Sequence, residues 1–187
     1  MKLHCVVVTL AMSHVAAAES TTVPLNITAL SSRAGYSVIE CWQLSSVPAA
    51  YMAAVNYAVG NTTVATWSRI EPRTTVGEAW APHIQLSVVL NGLIRITAPA
   101  PVADGPDASM CLQDHPGRKE RPDTRVFYAM PGTLRSSVLI AADLKSASTL
   151  AGHFTEFPSD EPTVLIQIPF VDDKAPAQTV LHEGPCL

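Results

Sequence analysis

The chain has 187 residues, a formal net charge of −4 and a charged fraction of only 15%, with acids and bases interspersed. With no basic stripe and no RNA- or DNA-binding motif, this balance excludes a nucleic-acid reader, and no basic amphipathic helix offers membrane attachment. The length suits one domain with a substantial core.

Read from the N-terminus, Lys2, the apolar run over residues 3–12 and the small residues Val15 to Ala18 have the three parts of a signal peptide. Residues 1–18 are expected to be removed, leaving a working domain over residues 19–187. The apolar run falls short of the roughly 20 residues that span a bilayer, so no stable membrane insertion is expected. Asn26-Ile27-Thr28 and Asn61-Thr62-Thr63 are glycosylation sequons, usable on a secretory route. Cys5 leaves with the leader, and Cys41, Cys111 and Cys186 remain. An oxidising compartment then favours one disulfide. Cys41–Cys186 is the favoured pair, because a tail ending at Leu187 frays unless tied down, and Cys41–Cys111 is the rival. No CxxC pair is present, which argues against a thiolate metal centre or a thioredoxin-like site.

Short segments rich in Val, Ile and Thr, separated by Pro, Gly, Asn and Asp, predict an all-β domain. Strands are expected over residues 36–44, 51–59 and 64–70, the last two separated by a turn at Gly60-Asn61. Residues 84–90 and 93–97 flank Asn91-Gly92, a step suited to a type I′ hairpin turn. Residues 98–122 have no period and predict a long surface loop. Later strands are expected over 126–130, 137–142 and 163–170, the last bracketed by prolines. Such a strand count on one domain fits a sandwich or a closed barrel, as in a cupin-like jelly roll or, alternatively, a lipocalin-like barrel.

The common catalytic signatures are missing: no nucleophile elbow, His-Glu-x-x-His, P-loop or dinucleotide fingerprint. Asp172 and Asp173 are adjacent and would face opposite ways on a strand, so they make no glycosidase pair by themselves. His83, Gln85 and Ser87 share one face at period two, so His83 faces the interior if Gln85 does, and otherwise sits at the rim. His153 is the other candidate, whereas His115 and His182 lie in polar sequence. Trp80 and Trp67 are candidates for an aromatic wall, and Tyr51 and Tyr57 share a strand face. Arg95 is either a solvated edge charge or an anion holder.

Residues 77–97 and 132–170 resemble the two motifs of the cupins. Six residues separate Gln85 from Gly92, as in the family's spacing from its Glu to its turn glycine, and His153 in Gly152-His153-Phe154 takes the place of a metal-binding histidine. The departures are large. The first-motif histidine positions fall on Glu78 and Trp80 (or Ala79 and Ala81), the carboxylate ligand is Gln85, and the final Asn is Phe157. One surviving ligand does not hold a divalent metal, so no metal and no cofactor are expected.

With its secretory features, the chain is similar in type to small secreted fungal cupin-like proteins, the cofactor-free hetero-Diels–Alderases of tropolone sesquiterpenes. That resemblance implies loss of water from a hydroxymethyl tropolone, giving an o-quinone methide, and cycloaddition of a humulene-type alkene. It would make His83 or His153 the acid/base, Gln85 the partner of the tropolone oxygens, and Trp80, Trp67 and Tyr51 the residues holding both reactants. The alternative is a secreted binding or effector protein without turnover. Both expect a small apolar or aromatic metabolite as partner, and a location outside the cell or in the secretory lumen or vesicles.

Overall fold

A computed structural model describes residues 23–100, 123–133 and 135–186. The expected signal peptide, Cys5, Cys111, His115 and most of the 98–122 loop lie outside the described residues. The fold is all-β. The first strands are β1 (Asn26–Arg33), β2 (Tyr36–Leu44), β3 (Ala49–Tyr51), β4 (Ala54–Asn56), β5 (Thr66–Ile70) and β6 (Thr74–Ala79). They are followed by β7 (Gln85–Asn91), β8 (Ile94–Pro99), β9 (Thr124–Ala129), β10 (Val138–Ala141), β11 (His153–Phe157), β12 (Thr163–Pro169) and β13 (Gln178–Glu183).

Seven strands form one sheet in the order β13-β2-β1-β10-β7-β12-β5, four form a second in the order β6-β11-β8-β9, and β3 and β4 make a separate exposed ribbon. All pairings are antiparallel except β1 with β10, which is parallel. Both multi-stranded sheets have open edges among the described residues, so the expected closed barrel is replaced by two facing sheets.

The large sheet is covered on both faces. Leu30, Ile39, Val89 and Leu139 on one face meet Ile94, Ile96, Ala98, Phe127 and Phe157 of the small sheet. Ile27, Ala29, Trp42, Leu44, Leu86 and Ile140 on the other are covered by Phe170, Val59 and Ala175 from connecting segments. This explains the near-continuous burial of β1 and β2, which do not alternate as a half-solvated strand does. The polar groups drawn in have partners. Buried Glu40 accepts hydrogen bonds from Ser31 Oγ at 2.6 Å and Trp42 Nε1 at 3.0 Å, and pairs with Arg33.

Cys41 and Cys186 form the disulfide favoured from sequence, closing a span of 145 residues. It fastens the end of β13, whose six residues are all exposed, to β2, while the Cys186 N–H donates to Thr28 Oγ1 at 3.0 Å.

The Asn91-Gly92 hairpin is not formed. β7 pairs with β10 and β12, whereas β8 pairs with β9 and β11 in the other sheet. Gly92 does take a positive φ of 80°, but the turn carries the chain across the core. Val89 and Ile94 then bury their side chains in one cluster instead of pairing backbones. A Cβ on Gly92 would lie 2.8 Å from the Thr163 backbone, so this corner demands glycine for space as well as for φ. The single strand expected over 51–59 is likewise broken, because Met52 (φ 53°) turns the chain between β3 and β4. Tyr51 and Tyr57 therefore share no strand. β1, β6, β11 and β13 were not anticipated as strands.

Candidate functional site

The four-stranded sheet buries one face and presents the other. Along β8, Ile94, Ile96 and Ala98 point into the core, so Arg95, Thr97 and Pro99 face outward. β11 brings Phe154 opposite Thr97 and Glu156 opposite Arg95. β6 sets Glu78 opposite Phe154, and β9 sets Tyr128 opposite Arg95. With Tyr36 and Gly152 at one side, Glu78, Arg95, Thr97, Phe154 and Glu156 line an open groove of about 570 Å³, within the range typical of small-molecule sites.

Two fixed polar features sit in this mostly apolar groove. Arg95 pairs with Glu156, and its guanidinium is held more firmly protonated than usual, first by the hydrogen bond to Glu156 and then by that to Tyr128. Arg95 is thus a partly exposed charge on a central strand, paired with Glu156 rather than standing as a vacant anion holder. Glu78 reaches across the strand gap and accepts the Gly152 N–H through Oε1 at 3.0 Å. Gly152 is required by close approach: a Cβ there would lie 2.3 Å from the Ala79 carbonyl oxygen and 2.8 Å from the Trp80 ring. Gly152→Ala is expected to destabilise the fold by about 1–3 kcal/mol, because a backbone carbonyl cannot swing aside. Urea unfolding checks this, and an unchanged midpoint would contradict the packing.

Beside the groove, between the sheets, lies a buried polar cluster. Ser37 Oγ donates to Asp143 Oδ2 at 2.6 Å, and His153 Nδ1 lies 2.5 Å from the same oxygen. Asp143 and Ser37 are fully buried, His153 is 7% exposed, and Asp143 Oδ1 has no partner among the described residues. The order of contacts decides the chemistry. A nucleophilic triad needs histidine between the hydroxyl and the carboxylate, whereas here the carboxylate stands between the other two. The arrangement anchors the loop between β10 and β11; it does not activate Ser37.

No family model, curated protein or solved structure matches the chain.

The other residues picked from sequence are spread over the molecule. His83 is exposed, with Nδ1 3.2 Å from Asp173 Oδ1, in a shallow depression of about 300 Å³ lined also by Thr63, Phe170 and Asp172. It lies before β7 begins, so the period-two argument that put it inside with Gln85 does not apply: Gln85 is buried in the large sheet and His83 is in solvent. Asp172 and Asp173 occupy a short 3-10 turn, and Asp173 also accepts the Ile84 N–H at 3.0 Å. Trp80 donates from Nε1 to the Ser148 carbonyl at 2.9 Å and carries Lys145 Nζ 4.6 Å from its ring centroid. Trp67, on edge strand β5, is 61% exposed, and Tyr51 on the ribbon is 70% exposed. Trp80, Trp67 and Tyr51 therefore form no common wall, and the two histidines do not meet. Glu78, Phe154 and Glu156 were missed as site residues. The alternation of Phe154 and Glu156 along β11 is the sequence signal for this face.

No helix among the described residues is long and apolar enough to cross a membrane, and no group of three or more His, Cys, Asp or Glu among them is placed to hold a metal ion.

Proposed function

We propose that this chain is a secreted binding protein that holds a small, largely apolar metabolite in the groove on the four-stranded sheet. The observation that carries the reading is the groove itself: apolar walls around a few fixed polar groups, in a volume suited to a small organic molecule. The Cys41–Cys186 disulfide supports a secretory route, since such bonds persist in oxidising compartments. Asn26 and Asn61, both exposed, are the proposed glycosylation sites. Two facing sheets favour kinship with the jelly rolls, and the parallel β1–β10 pair is a departure from that pattern. Cycloaddition remains the alternative implied by the cupin resemblance. It requires an acid/base beside the bound reactants, and the dispersal of His83, His153, Gln85, Trp80, Trp67 and Tyr51 does not favour it.

The test uses prodan, a neutral naphthalene dye that brightens in apolar surroundings. Saturable one-to-one binding is expected, with loss of at least tenfold in affinity for Thr97→Trp, which fills the groove from the solvent face of β8. Equal binding by the variant, with an unchanged circular dichroism spectrum, would remove the groove as the site. Product formed by the purified protein from a hydroxymethyl tropolone and a humulene-type alkene would instead establish the catalytic reading.

A further inference from the structure

We infer that the groove selects a monocation, a protonated amine or quaternary ammonium carried on an aromatic or apolar body; this rests on the binding reading above. Among the described residues, three charged side chains line the groove: Arg95, Glu78 and Glu156. One positive and two negative charges leave a net −1 from the described side chains. Arg95 is consumed locally, because Glu156 engages its guanidinium, so an incoming anion must first break that pair. Glu78 is different. Its one bonded oxygen takes a backbone N–H, and no Lys, Arg or His among the described residues pairs with it. The Gly152 N–H fixes the carboxylate in place without neutralising it.

Phe154 supplies the second half of the site. It is the direct cross-strand partner of Glu78, so both side chains rise on the outward face with Cβ atoms about 5 Å apart. The ring is 50% exposed, unusual for Phe, and it lines the groove rather than the core. An aromatic face next to a carboxylate that no described cation pairs is the arrangement that attracts ammonium groups, through the ring quadrupole and the full charge together. The apolar remainder of the groove, including Pro99 and Tyr36, covers the body of the ligand.

Three probes sharing one ring system test this by calorimetry at neutral pH: naphthylmethylamine, naphthalenemethanol and naphthoate. The amine is expected to bind at least tenfold tighter than the alcohol, and naphthoate weakest. Glu78→Gln should bring the amine down to the level of the alcohol and leave the alcohol unchanged. Phe154→Ala should weaken the amine more than the alcohol. Equal affinity for amine and alcohol, or no change with Glu78→Gln, overturns the cation selectivity while leaving the groove as a binding site. Tightest binding of naphthoate overturns it in favour of Arg95. Failure of all three probes, together with failure of prodan, overturns both readings.

Discussion

Replacing Cys186 with serine is expected to lower the unfolding free energy by about 3–5 kcal/mol. Cross-linking residues 145 apart removes much of the freedom of the unfolded chain, and the chain-entropy relation gives about 5 kcal/mol for a loop of that length, with native relaxation reducing it. The folded state depends on the bond locally as well. β13 is an edge strand with all six residues exposed, so little apolar burial holds it to β2. Its ladder to β2, the Cys186 N–H to Thr28 Oγ1 bond and the pairs of Glu183 with Arg125 and Arg33 are what remain after substitution. The partly exposed ion pairs contribute at most about 1 kcal/mol each. Urea denaturation of Cys186→Ser, Cys41→Ser and the double variant should give the same loss in all three, since either change removes one and the same bond. A loss below about 1 kcal/mol would show that β13 docks without its clasp.

Asp143→Ala is expected to cost about 3–5 kcal/mol, the usual effect of removing one member of a buried charged cluster. The substitution strands two groups at once, because Ser37 Oγ and His153 Nδ1 converge on the same carboxylate oxygen. Asp143→Asn keeps one oxygen acceptor in place and should lose less. A double-mutant cycle with His153→Ala measures the coupling, expected at about 0.5–3 kcal/mol for groups in direct contact. Strict additivity would mean that the histidine and the carboxylate are independent. Because the cluster braces the loop that ends at Gly152, Asp143→Ala should also weaken prodan binding, whereas Ser37→Ala should do so less.

The legible part of the fold was the part governed by local chemistry. The strands over 36–44, 64–70, 126–130, 137–142 and 163–170 were found to within about two residues, because Val, Ile and aromatic runs between Pro and Gly breaks mark a chain suited to a sheet. β1 carries no such mark in its second half, Ser31-Ser32-Arg33, whose polar groups are accommodated by Glu40 on the neighbouring strand and by Ser148 and Glu183 far along the chain. β13 escaped notice because nothing in an exposed segment announces the neighbour that pairs with it. His83 shows the reverse error. A period-two face is meaningful only inside a strand, and the chain at Ala81 to Ile84 is not yet in one.

By itself, then, the sequence determined the all-β class and the positions of most strands, since each follows from residue type or short-range punctuation, while the structure decided for Cys41–Cys186 over Cys41–Cys111. Only the tertiary structure decided which strands share a sheet. Asn91-Gly92 permits a tight turn, but whether the strands beyond it pair or part depends on burying Val89 and Ile94 in one core. The site was decided at the same level. Glu78, Arg95, Phe154 and Glu156 come from three strands far apart in the chain, and only their register across β6, β11 and β8 gives them a common face.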